Sequence, residues 1–345
     1  MNSGIVKDRR YLEHNMGVGH PESPERIQAI YETIEAEKKL ASLAVISPRP
    51  ATEKELALIH TQEYIEQIKQ TAGRERVYLD PDTSTSPRSY EVAQLAAGGL
   101  LEAADRIMDG KVVNAFALVR PPGHHAEASQ AKGFCIFNNV AIAAQYLIEK
   151  WGLRRILVVD WDLHHGNGTQ HAFYSRADIL FFSTHQFPHY PGTGHWSEVG
   201  EGKGEGFTVN VPLAPGKTDD DFLFIYRKLL SPISAAYKPE FILVSAGFDI
   251  FAGDPLGGME VSVGGFGAMA GELMDLAQQT AHGRLLLTLE GGYNLFGLQD
   301  GVRSVLLTLR GQSSASQAQL RISGSLEREL AAVFRAQGAF WRLAE

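Results

Sequence analysis

Three segments, Arg155–Asp160 (RILVVD), Phe241–Gly247 (FILVSAG) and Leu285–Gly292 (LLLTLEGG), are almost unbroken apolar runs closed by a carboxylate or a glycine turn. A strand with one wet face alternates apolar and polar residues, so a short run without alternation marks a strand covered on both sides. Val113–Val119, Ile179–Ser183 and Phe207–Val211 read as further strands. Between the strands lie segments of helical periodicity: Pro24–Glu37, Pro87–Asp109, Asn138–Lys150, Asp219–Ala236, Gly265–Thr280 and Leu298–Leu309. Strands and helices in alternation predict an α/β fold with a parallel sheet flanked by helices. With 345 residues, 44% of them hydrophobic, the chain can bury one large core. A single domain is expected, its core spanning about residues 19–311. A serine-rich connection at 313–319 then leads to a C-terminal helical appendage at about 320–345, with a helix near Leu326–Leu343.

A formal net charge of -8 disfavours broad contact with a phosphate backbone, so no direct nucleic-acid binding is expected. The single cysteine, Cys135, cannot form an intramolecular disulfide, which fits a reducing compartment. The N-terminal MNSGIVKDRRYLEH lacks the apolar core of a signal peptide. No apolar run approaches the ~18 residues a membrane helix needs. The expectation is a soluble cytoplasmic protein without membrane attachment, its oligomeric state open.

In open parallel sheets, the residues that act on ligands gather in loops beyond the carboxyl ends of the strands. Four predicted strand ends carry unusual polar clusters: RPPGHHAE, WDLHHGNG, FDIFAGDP and GGYN. Parallel strands bring these loops to one edge. In the second cluster alternate side chains place Asp160, Asp162 and His164 on one side. Carboxylates and an imidazole suit a divalent metal. A third ligand should come from another strand end. Asp249 is preferred because it sits nearer its strand; the rival, Asp254 in Gly-Asp-Pro, reads as a turn-former. Asp162, His164 and Asp249 would leave one coordination position open, as in catalytic zinc sites. The Asp-x-Asp-x-His pattern alone is evenly balanced against an acidic turn with a core histidine; the other clusters tip the balance.

His124 and His125 follow another strand end, and histidine moves protons near neutral pH. Asp160, left out of the ligand set, is expected to orient His124 and keep it charged, while Asn167 orients His125 and leaves it a neutral base. His125 would take a proton from water and return it to a leaving amine. Tyr293, after two glycines that allow close backbone approach, would hydrogen-bond a developing oxyanion. Some features lead nowhere. Gly216-Lys217-Thr218 lacks the earlier glycine of a phosphate loop, Val211 standing in its place. Gly200–Gly206 reads as a turn between strands, and His185, His189 and His195 read as structural or rim residues.

Taken together, HPESPERI (20–27), RPPGHHAE (120–127), GFCIFNN (133–139), VVDWDLHHGNGTQ (158–170), YPGTG (190–194), SAGFDIFAGDPLGG (245–258) and LEGGYN (289–294) resemble the histone deacetylases. They stand in that family's order from about Gly19 to Leu309 and are closest in character to its class II-like bacterial amidohydrolases. The resemblance implies an arginase/deacetylase fold around an eight-stranded parallel sheet. It implies hydrolysis of the acetyl amide of acetyl-lysine in a peptide or protein, with acetylpolyamines or other small acetylated amines as the alternative. It implies zinc on Asp162, His164 and Asp249, and the roles above for His124, His125 and Tyr293. Arg26 matches an arginine of an internal acetate channel. Gly133 and Phe134 match the floor and one wall of an acyl-lysine tunnel, and Asp82 loosely matches a tunnel-mouth residue. A structural potassium ion is implied at Asp160, Asp162, His164, Ser183 and Thr184. Three positions depart from the common pattern. Asn167 replaces an aspartate, as in class II relatives; Tyr190 replaces a phenylalanine wall. Leu256 stands where polyamine-specialised relatives can carry a glutamate. Two rivals are a ureohydrolase with two manganese ions, which would need more carboxylates, and a non-catalytic acyl-lysine binder, which should have lost one of these residues.

Overall fold

The computed structural model describes residues 2–312 and 320–343. Its strands, in chain order, are β1 (Gly4–Val6), β2 (Ala44–Ile46), β3 (Val77–Tyr78), β4 (Ser84–Thr85), β5 (Asn114–Ala117), β6 (Ile156–Asp160), β7 (Ile179–Gln186), β8 (Thr208–Leu213), β9 (Phe241–Ala246) and β10 (Leu285–Leu289). Eight of them form one sheet in the order β2-β1-β5-β10-β9-β6-β7-β8, while β3 and β4 make a small antiparallel hairpin. Every neighbouring pair in the large sheet is parallel. An eight-stranded parallel sheet is what the resemblance implied, and all residues of β6, β9 and β10 are buried as their unbroken apolar runs require. Helices Ser89–Met108 and Asn139–Trp151 pack on each other, and a second group joins Pro24–Ala36, Val263–Thr280 and Leu295–Leu309. Among the described residues no helix is long and apolar enough to cross a membrane.

The register matters most at one edge. Asp160 at the end of β6 lies level with Ser245 of β9, which lies level with Thr288 of β10, itself opposite Ala117 of β5. Four adjacent central strands therefore release their loops at the same height, and these are the loops that carry the polar clusters.

The sheet begins earlier than the expected start of the core near residue 19. β1 lies between β2 and β5, so the chain enters the core at Gly4. Segments as short as Gly4–Val6 and Ala44–Ile46 carry no readable periodicity. The expected helix Asp219–Ala236 is interrupted. It runs Asp219–Ile225, widens into a π turn at Tyr226–Leu230 and resumes as Ser231–Tyr237. Pro232 has no N–H to donate and its ring crowds the preceding turn, which accounts for the widening.

The expected connection at 313–319 lies outside the described residues. The helix Leu326–Gly338 packs against β8, burying Leu326, Leu330 and Val333. Gln337 donates to the carbonyl of Thr208 and the Trp341 indole to that of Gly206. Lys217, from the discarded Gly-Lys-Thr motif, is buried and pairs with Glu329 of this helix at 3.0 Å. Its ammonium also donates to Ser325. Glu329→Ala would leave that ammonium buried without its counter-charge, so about 2–3 kcal/mol of stability should be lost, read by urea unfolding. An unchanged midpoint would show that the pair holds nothing.

Candidate active site

The loop after β6 turns back on itself through its own carboxylates. Asp160 accepts from the backbone N–H of Asp162, and Asp162 accepts from that of His164. Asp249, beyond β9, accepts from the N–H of Leu163. This folding brings three donor side chains together: His164 Nδ1 stands 3.1 Å from Asp162 Oδ1 and 3.0 Å from Asp249 Oδ2. The donor atoms of all three lie within 4.8 Å of one another and the residues are buried. Burial, with the Asp162 charge beside it, pushes the Asp249 carboxyl up to about 7. Two buried carboxylates this close need a cation, and an imidazole with two oxygen donors suits a divalent metal ion. His124, Cys135 and Glu290 also cluster within 4.8 Å, but burial holds the Cys135 thiol far above its usual pKa, which disfavours a thiolate ligand.

Gly291 is required at this point. A Cβ there would collide with the carboxylates of Asp249 and Asp162, and its N–H donates to Asp162 Oδ2 at 2.8 Å. Asp254, the rival ligand, stays out of the cluster. It accepts from the N–H of Leu256, the turn expected of it, and also from those of Tyr293 and Asn294 at 2.7 and 3.0 Å. It thus pins the loop that carries Tyr293.

The two histidines differ as their partners do. His124 Nδ1 donates to Asp160 Oδ2 at 3.0 Å, and its Nε2 lies 3.8 Å from Asp162 Oδ1. Burial opposes charging this ring, but the Asp162 and Asp160 carboxylates outweigh it and push the pKa up to about 10. His125 Nδ1 lies 2.7 Å from Asn167 Oδ1. Burial, reinforced by the positive charge of His124, pushes His125 well below its usual pKa. The carboxylates favour the cationic form of one imidazole, and burial favours the neutral form of the other, 4.0 Å away between ring centres.

A cavity of about 240 Å³ opens onto this group. Its wall includes His124, His125 and His164, with Gly133, Phe134, Tyr190, Leu256, Asp82 and Tyr293. Phe134 holds a left-handed φ of 68°, rare outside glycine, with its N–H bonded to Thr83 Oγ1 at 2.9 Å. The Tyr190 ring stands edge-on to His125 and the Phe134 ring edge-on to Tyr293. At Gly133 a side chain would strike the His125 ring. Burial raises the Tyr293 phenol well above its usual pKa, so it is a donor at neutral pH.

Of the expected residues, Arg26, Ser183 and Thr184 belong neither to the wall nor to the groups just described. Arg26 is buried beneath the Tyr293 loop, donating to the carbonyls of Gly292 and Glu290, its guanidinium 5.0 Å from the Tyr293 ring centre. Ser183 is engaged with His185 Nδ1, and Thr184 Oγ1 reaches the Asp160 carbonyl at 3.5 Å. His189 lines the cavity and stacks on His164.

The sequence reading passed over two anchoring groups. Glu290 is fully buried and accepts from the N–H groups of Gly123 and His124 and from Ser245 Oγ. Burial raises its pKa to about 7 against the opposing pull of His124. Glu22 takes Arg120 and Arg26 in a buried ion cluster below the site. A lone carboxylate at the tip of LLLTLE, where an apolar strand should simply end, is the signal that could have found Glu290.

Known proteins resemble this chain over most of its length. The model of the histone deacetylase domain matches residues 20–309. The chain is 37% identical over 314 residues to a histone deacetylase-like amidohydrolase of Pseudomonas aeruginosa, covering 90% of this chain and 82% of that one. It is 40% identical over 315 residues to the polyamine deacetylase HDAC10 of Danio rerio, covering 88% of this chain and 45% of that one. Of the plant and fungal histone deacetylases it matches, the chain spans 39% to 60% of the length. The crystal structure of the HDA15 HD domain superposes with a TM-score of 0.93 at 36% identity, over 99% of this chain and 97% of that one.

Proposed function

The chain belongs to the histone deacetylase family, and from that premise we propose that it hydrolyses the acetyl amide of N6-acetyl-lysine in peptides or proteins, using one zinc ion. The observation that carries the reading is the meeting of three metal-ligating side chains, one neutral and one charged imidazole, and a phenol at a single narrow cavity. Asp162, His164 and Asp249 would hold the zinc. When bound, zinc supplies Lewis acidity that polarises the amide carbonyl and acidifies water. Phe134 and Tyr190 would line the path of the aliphatic chain, with Gly133, Asp82 and Leu256 also on the wall. His125 Nε2, unprotonated because Nδ1 carries the hydrogen, takes the proton from the attacking water. It then delivers that proton to the departing amine. Charged His124 and the Tyr293 hydroxyl stabilise the negative oxygen that develops on the carbonyl. Arg26, buried under the Tyr293 loop, belongs to the acetate exit in this reading.

Small acetylated amines are the second reading, supported by the similarity to a polyamine deacetylase. Apolar Leu256 on the cavity wall weighs against it, because that side chain offers no charge to a distant second ammonium. The proposal also includes a structural potassium ion near Asp160, Asp162, His164, Ser183 and Thr184, from the resemblance alone, and a cytoplasmic location. One experiment tests the whole: elemental analysis of the purified protein beside turnover of acetyl-lysine peptides and acetylpolyamines. One zinc per chain with preference for the peptides is expected; two tightly bound divalent transition metals, or an inert zinc-loaded protein, would overturn the reading. Tyr293→Phe should lower kcat by ~100-fold or more while KM moves little.

A further inference from the structure

We propose that Glu127 is a positioning residue that locks the side-chain amide of Asn167 in the one orientation that keeps His125 a competent base. The inference rests on the proton-transfer role proposed above for His125. An asparagine amide has two unlike ends of almost equal size, an acceptor oxygen and a donor NH2, and swapping them costs nothing until neighbours decide. Here the neighbours are unlike. Asn167 Oδ1 faces His125 Nδ1 at 2.7 Å, while Nδ2 donates to Glu127 Oε1 and, at 3.3 Å, to the His125 carbonyl. An ionised carboxylate only accepts hydrogen bonds. Turning the amide over would set its oxygen against the Glu127 oxygens and lose both bonds.

The tautomer of His125 follows. With an amide oxygen opposite, Nδ1 must carry the hydrogen, so the lone pair sits on Nε2. With NH2 opposite, Nδ1 would have to accept and the hydrogen would move to Nε2, which leaves no base there. An aspartate at position 167 would not raise this problem, since both its ends accept; an asparagine needs something to choose for it. Glu127 is equipped to choose. Its backbone is tied at N–H to the Gln130 carbonyl and at the carbonyl to His60 Nδ1. Its carboxylate is also held by His171 Nδ1, 2.9 and 3.0 Å from the two oxygens. Burial opposes ionisation of Glu127, but His171 and Asn167 outweigh it and keep the pKa below the ordinary value. The chain His125, Asn167, Glu127, His171 thus runs from the cavity to a half-exposed surface histidine.

The test is a double-mutant cycle in the full chain, with kcat and KM for an acetyl-lysine peptide. Glu127→Ala should lower kcat by about 10-fold or more at unchanged KM, and Glu127→Gln should fall between Glu127→Ala and the parent, because its own amide can turn and so fixes Asn167 less firmly. In the Asn167→Asp background the same Glu127→Ala change should cost less than about 3-fold, because a carboxylate presents an acceptor whichever way it turns. Equal losses in both backgrounds would mean that Glu127 merely supports the loop, and no loss beside Asn167 would mean that it sets nothing; either overturns the proposal. A second readout is independent of activity. Nitrogen-15 shifts of His125 in the purified protein should report the Nδ1–H tautomer in the parent and a shift toward Nε2–H in Glu127→Ala. An unchanged tautomer overturns the proposal even where turnover falls. An inert parent protein that still shows this tautomer shift would defeat the deacetylase reading and leave this one standing.

Discussion

Asp249→Asn is expected to remove both metal and turnover. The substitution keeps the shape of the side chain and an oxygen to accept from the Leu163 N–H, so the loop beyond β6 should keep its course. What it removes is one negative charge from a buried group of three donors. Without that charge the cluster holds one carboxylate and one imidazole, too little to strip a divalent cation of its water at this depth. Loss of the Lewis acid removes several kcal/mol of transition-state stabilisation, so kcat/KM should fall by about 10³-fold or more. Elemental analysis and steady-state kinetics on the same preparation decide the matter. Dialysis against a chelator should reproduce the loss in the parent protein, and added zinc should reverse it there alone. A variant that retains a full equivalent of zinc and near-parental rates would remove Asp249 from the ligand set.

His125→Ala should cost roughly 10² to 10⁴ in kcat with little change in KM, the range expected for a proton-transfer group. His125 rather than its neighbour is chosen because the two rings differ in charge: the carboxylates around His124 favour its cation, and burial favours neutral His125. Asp160 donates nothing and so must be met by a hydrogen on His124 Nδ1, and the surrounding carboxylates keep a second hydrogen on that ring. His125 has an amide for a partner, a buried position and the His124 charge beside it, all of which favour its neutral form. His124→Ala should therefore hurt less, through loss of a charge near the developing oxyanion. If His124→Ala is the more damaging change and His125→Ala stays within tenfold of the parent, the two assignments must be exchanged.

The parts of the fold and site that could be read from sequence share a physical cause. β6, β9 and β10 were legible because full burial imposes an unbroken apolar run. Asp160, Asp162 and His164 were legible because they lie within one short motif, and Asp249 because it follows a strand end directly. Helix starts were misplaced where a polar cap adds a turn. Ser262 caps through Gly265 and Asn294 through Gly297, so the helices begin at Val263 and Leu295 rather than at Gly265 and Leu298. Glu290, Asp254 and Glu127 were not legible as anchors because each is a single carboxylate whose partners lie far away in the chain. Glu290 reaches back 167 residues to Gly123, and no local pattern records such a bond.

The helix Leu326–Gly338 has a consequence for how this protein survives at high concentration. A sheet ends in rows of unpaired backbone groups that invite another chain to add a strand. On one flank β2 is only three residues long and offers little to copy. On the other flank β8 is twice that length, and Gln337 and Trp341 occupy the carbonyls of Thr208 and Gly206. Cutting the chain ahead of this helix would leave the loops of Asp162, His164 and Asp249 in place yet uncover a sticky rim. Such a fragment would be lost to aggregation before it was lost to chemistry.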